Sequence, residues 1–184
     1  MTQKRGERMD DSCYARKMTA ARKTAVLGML CAAAVLCSYA ETLIPFSIIP
    51  VPGFKIGLAN VVIMLILYRF SFGSVFIVNV VRSVVIALLF SGITSAIFSL
   101  CGGTLALIAM FAVKRCRFFS IYAAGVLGAV MHNIGQLLAA AILLKTASVF
   151  AYLPWLMICS LVCGLLIAAI TALCISAFER LISR

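Results

Sequence analysis

Six polar side chains interrupt long apolar stretches of this sequence: Glu41, Asn60, Arg82, His132, Asn133 and Gln136. His132 is the only histidine of the chain. It lies four residues before Gln136, so the two share one face of a helix, with Asn133 beside that face. Arg82 places a guanidinium in the middle of an apolar run. Polar groups in such runs face the protein interior, because hydrocarbon cannot solvate them. The chemistry they offer is binding. The planar donor fork of Arg82 suits a carboxylate or a phosphate, and the imidazole and amides add hydrogen bonds. Two structural alternatives stand beside that reading: Arg82 paired with Glu41 or anchored to backbone carbonyls, and the amides and imidazole bonding helix to helix.

Bond-breaking chemistry finds little support. No G-x-x-x-x-G-K-[ST] loop is present, so the chain hydrolyses no ATP of its own. A single histidine with no aspartate in the apolar segments makes no nucleophile–base–acid set. The only acids are Glu7, Asp10, Asp11, Glu41 and Glu179, and no carboxylate pair suited to magnesium lies in the apolar segments. Eight cysteines are scattered along the chain; Cys159 and Cys163 share a helix face but lack a second ligand pair. No metal and no cofactor are expected.

These residues are carried by a chain of 184 residues, 65% hydrophobic and only 11% charged, with mean hydropathy +1.18. Soluble domains average roughly 45–50% apolar and 25% charged residues, so the solvent here is a bilayer. The net charge of +11 could suggest nucleic acid. The basic residues sit at the ends of apolar runs instead of forming a stripe, a pattern that argues against nucleic-acid binding.

A spanning helix needs about 20 apolar residues. The sequence predicts an all-α, integral membrane six-helix bundle: a basic tail at 1–23, a transmembrane domain at 24–178 and a short C-terminus at 179–184. The spans are expected at 24–44, 56–68, 73–90, 93–113, 119–144 and 153–178. The segment from Pro45 to Lys55, with three prolines and a glycine, reads as a loop. With both termini cytoplasmic, thirteen of the sixteen basic residues face inward and only Lys55 and Lys145 face outward, with Arg82 left in the membrane. In that orientation the six polar residues fall mostly in the outer half and line a pocket open to the outside. Small residues four apart, such as Ser160, Gly164 and Ala168, mark helix contacts.

Glu41 before the proline-rich loop, the segment Pro52-Gly53-Phe54-Lys55-Ile56-Gly57-Leu58-Ala59-Asn60, Arg82, Ser99-Leu100-Cys101-Gly102-Gly103 and His132-Asn133-Ile134-Gly135-Gln136 together resemble a family of small bacterial membrane proteins. That family is labelled either heptaprenyl diphosphate synthase component I or Gx transporter, and the resemblance covers about 24–178. It also looks like the substrate-binding S components of energy-coupling factor (ECF) transporters. The resemblance implies a subunit of the bacterial cytoplasmic membrane that takes up a small polar or anionic solute. A coupling subunit and ATPases would dock on small residues, here Ala25, Gly28 and Ala32 with Ser83 and Ala87. The solute would meet Arg82, His132, Asn133, Gln136, Glu41 and Asn60. The synthase label implies instead a membrane accessory in polyprenyl synthesis, presenting a lipid or diphosphate to a separate prenyl synthase subunit, since the chain lacks the two aspartate-rich motifs of such synthases.

Overall fold

The computed structural model describes residues 19–43, 57–116 and 118–182; most of the basic tail, the proline-rich loop, Lys55 and Arg117 lie outside them. Among the described residues there are six α-helices and no strands. They are α1 (Ala20–Leu43), α2 (Ala59–Arg69), α3 (Phe72–Ile86), α4 (Gly92–Arg115), α5 (Ile121–Leu144) and α6 (Leu153–Ile182). A π-helical turn at Ala87–Ser91 continues α3, and a 3₁₀ turn at Ser148–Tyr152 precedes α6.

Five of these helical segments are long and apolar enough to cross a membrane. Their exteriors carry the apolar side chains: Leu88, Ile93 and Ile142 are 81%, 80% and 76% exposed. The polar ones, Glu41, Asn60, Asn79, Arg82, His132, Asn133 and Gln136, are buried. That distribution is the reverse of a water-soluble protein, and the chain is a multi-pass membrane protein.

The expected second span differs in extent. Its helix has 11 residues, about 16 Å at 1.5 Å per residue, roughly half of a hydrocarbon core about 30 Å thick. It begins at Ala59 instead of residue 56 because Gly57 turns the backbone at φ +86°, a region open to glycine at little cost. A Cβ there would also stand 2.8 Å from the Asn60 Nδ2. Gly57→Ala is therefore expected to destabilise the protein by about 1–3 kcal/mol, read as a lower thermal-unfolding midpoint in detergent.

α2 is the axis of the bundle. Residues Ala59 to Leu67 are all buried, and α1, α3, α4 and α6 pack around them. A short buried helix leaves orphan amides at one end and orphan carbonyls at the other. Here each end meets a charge opposite in sign to its own partial charge. The Glu41 carboxylate of α1 accepts a hydrogen bond from the Leu58 N–H, just before α2. At the far end the Lys114 ammonium of α4 donates to the Leu67 carbonyl at 2.8 Å and lies over the Tyr68 ring. Both placements complement the helix dipole. α2 therefore runs antiparallel to α1 and parallel to α4.

Glycines set the other crossings. α5 packs most extensively on α4 and next on α6. A Cβ on Gly135 would meet the Cys101 carbonyl oxygen at 2.8 Å, and one on Gly164 would meet the Val126 Cα at 2.5 Å. Backbone-to-backbone approach of this kind is how membrane helices gain dispersion contact where no hydrophobic force draws them together.

Candidate functional site

A small internal cavity is lined by Ser38 and Glu41 of α1, Gly57 at the approach to α2, Arg82, Ser83 and Ile86 of α3, Ser99 of α4 and His132 of α5. Its volume is about 10 Å³, room for about one water molecule. Depth follows from the helical rise. Arg82 is ten residues into α3 and His132 eleven into α5, so both lie about 15–16 Å along helices that start at the basic end of the bundle. The cavity is thus near mid-length of the bundle. The reason is the brevity of α2, whose start brings Gly57 and Glu41 down to this level.

Arg82 is the centre. Its Nη1 donates to the Ser38 Oγ at 3.1 Å and its Nη2 to the Asn79 Oδ1 at 2.9 Å. Asn79 sits one turn earlier on α3 and packs against α4, where a Cβ on Gly103 would stand 2.5 Å from its Oδ1. The Glu41 carboxylate interacts electrostatically with Arg82 across the cavity. The side chain is 5% exposed, and its Nε has no hydrogen-bond partner among the described residues. The Ser83 Oγ, also lining the cavity, is likewise unpartnered among them. Two buried donors beside this cavity thus lack a hydrogen-bond partner among the described residues.

The other sequence-predicted residues divide. His132 lines the cavity with Arg82 and Glu41. Gln136, one turn further along α5, packs on Gly102 of α4, where a Cβ would come within 2.9 Å of the Gln136 Cγ and 2.8 Å of the His132 carbonyl oxygen. Gly102 is therefore the point that lets the His132–Gln136 face approach α4, while Gly103 beside it makes room for Asn79 of α3. Asn60 is buried in the first turn of α2, over Gly57, and is not in the cavity lining.

Asn133 turns away from the cavity. It donates to the Ser160 Oγ of α6 at 2.7 Å, and Ser160 in turn donates to the Leu156 carbonyl. One residue past His132 is about 100° around the helix, which carries Asn133 to the α5–α6 contact instead of the α4 side. Its placement is that of a helix-pairing residue. Asn133→Ala is expected to cost about 0.6 kcal/mol, at most about 1.7, in unfolding from mixed micelles.

Of the small residues expected to meet a partner, Ala25, Gly28 and Ala32 lie exposed on one side of α1, and nothing stands within 4 Å of a Cβ built on Gly28. Ala87 is half-buried in the π turn. Ser83 is 2% exposed and lines the cavity beside Arg82.

Sequence reasoning passed over Ser38, Ser83 and Ser99 as cavity residues. Serine in a membrane helix reads first as a small packing residue. The available signal was spacing, since Ser38 precedes Glu41 by one turn and Ser83 adjoins Arg82.

No group of three or more histidine, cysteine, aspartate or glutamate side chains among the described residues could hold a metal ion. A family model described as heptaprenyl diphosphate synthase component I matches residues 30–174. No curated protein and no solved structure matches the chain.

Proposed function

Since the chain belongs to the heptaprenyl diphosphate synthase component I family, we propose that it is the membrane-embedded, non-catalytic component of a prenyl diphosphate synthase. It acts in the bacterial cytoplasmic membrane beside a separate subunit that carries out chain elongation. The carrying observation is the buried Arg82, whose Nε has no partner among the described residues, set with Ser83 at a cavity inside a membrane bundle. A guanidinium is costly to bury and suits bidentate binding of phosphate oxygens. The reading makes Arg82 the anchor for the diphosphate group of a prenyl chain whose tail stays in lipid. Magnesium–diphosphate chemistry belongs to the partner, because Glu41 is the only acid between Asp11 and Glu179.

The topology that fits is six alternating segments with both ends inside, 1–23 and 179–184 being cytoplasmic. The Lys114 contact with the end of α2 supports it, since it sets the C-terminal ends of α2 and α4 at one level. α2 then reverses the chain between α1 and α3 although it is only half a membrane long.

A second reading keeps the likeness to S components of ECF transporters: a binder of a small anionic solute, docked to a coupling subunit with its ATPases. The exposed Ala25, Gly28 and Ala32 side of α1 favours it, because small residues let another membrane helix approach closely. Affinity purification of the tagged full chain from its native membranes, followed by mass spectrometry, separates the readings. The first expects a prenyl synthase subunit. Recovery of ATPase and coupling subunits without any prenyl synthase would overturn it in favour of the second.

A further inference from the structure

We infer that Glu41 is a built-in occupant of an anion site, and that a diphosphate group entering at Arg82 must displace its carboxylate. The inference rests on the reading of Arg82 as a diphosphate anchor and adds to it how the site is held when empty. The start of α2 presents backbone N–H groups, a position that attracts negative charge. The Glu41 carboxylate already fills it, accepting from the Leu58 N–H. Glu41 shares its cavity with Arg82, and the two interact electrostatically. Around that same cavity the Arg82 Nε and the Ser83 Oγ stay without a hydrogen-bond partner among the described residues, although both are buried.

The arrangement is that of an anion site closed on the protein's own carboxylate. The cavity of about 10 Å³ takes about one water molecule and cannot admit a diphosphate while Glu41 remains. A ligand that displaced nothing would set its negative charge beside a fixed carboxylate in a low dielectric. Exchange of one anion for the other keeps the guanidinium compensated throughout, which a bare arginine within hydrocarbon would not be. Tethering Glu41 by its Oε1 to α2 also links ligand entry to release of that helix from α1. The simpler role, a carboxylate that only fastens α2, predicts no competition with a ligand.

Glu41→Gln separates the two, because the amide oxygen still accepts from Leu58 N–H while the competing charge is gone. The experiment titrates the purified full chain in detergent with inorganic diphosphate, and in a second arm with farnesyl diphosphate. E41Q is expected to bind at least ten-fold more tightly than the wild type in both arms, since the competition concerns the shared headgroup. Equal or weaker binding by E41Q, or binding by neither form, overturns the inference. A measurement on the wild type alone guards against a variant that does not fold. Labelling of Glu41 by a hydrophobic carbodiimide is expected to rise several-fold when diphosphate is added, and an unchanged rate overturns the inference. Should these results fail while chain elongation still depends on the protein, the synthase reading stands and only the displacement falls.

Discussion

Arg82→Ala is expected to lose prenyl chain elongation and to destabilise the protein by several kcal/mol, about 1.5–3 kcal/mol for each hydrogen bond to the charged group that is lost. The substitution strips the hydrogen bonds to Ser38 and Asn79. It also removes the positive charge nearest the buried Glu41 carboxylate, which keeps its bond from the Leu58 N–H. The two losses can be told apart. Arg82→Met combined with Glu41→Gln removes both charges with little change of volume and is expected to recover most of the stability, as apolar replacement of buried pairs often does. Activity is expected to stay absent, because the double variant lacks the guanidinium proposed to anchor the diphosphate. Recovery of activity along with stability would show that Arg82 serves the fold alone. Arg82→Lys is the finer probe: it keeps the charge but not the fork that reaches Ser38 and Asn79 together.

Gly164→Leu is expected to abolish the folded protein. A Cβ at this position would lie 2.5 Å from the Val126 Cα and 2.9 Å from the Gly125 carbonyl oxygen. Those atoms are backbone of α5 and cannot swing aside, so α5 and α6 would have to separate. Overpacking commonly costs about 1–3 kcal/mol where side chains can adjust, and here the cost sits at the upper end or beyond. Separation would also break the Asn133–Ser160 bond. The readout is the monodisperse fraction after detergent extraction. Gly28→Leu is the matched control: the Gly28 site is open on the exterior of α1, and near-normal recovery is expected. Equal recovery of the two variants would contradict the packing described for α5 and α6.

Much of this architecture was legible in the sequence because the bilayer permits few solutions. With backbone hydrogen bonds unavailable from solvent, apolar runs become helices, and their bounds fall near charges, prolines and glycines. The run at 73–90 became α3 with its π turn, and the one at 153–178 became α6, four residues longer. α2 was harder. A run of apolar residues reads as a span whether it crosses lipid or lies inside the protein, and only contacts with α1, α3, α4 and α6 reveal its burial on all sides.

The site shows the same division. Arg82, Glu41 and His132 stood out because charge and imidazole are costly in hydrocarbon, and they share one cavity. Asn133 belongs elsewhere, since a single residue step on a helix changes which neighbour is met. That choice depends on the rotation of α5 between α4 and α6, which one sequence does not encode visibly. Lys114 is the converse case. At the end of an apolar run it reads as a topology marker, yet its ammonium also closes the carbonyl end of α2.

The proposal that this protein is the membrane component of a prenyl diphosphate synthase is tested most directly by elongation itself. Membranes lacking the chain, membranes containing it and membranes containing Arg82→Ala would be supplied with the separate synthase subunit, isopentenyl diphosphate and a short allylic primer. The length and amount of the prenyl diphosphates formed are then measured. Long-chain product is expected only with the wild-type chain. Product of the same length and yield in all three preparations would contradict the proposal.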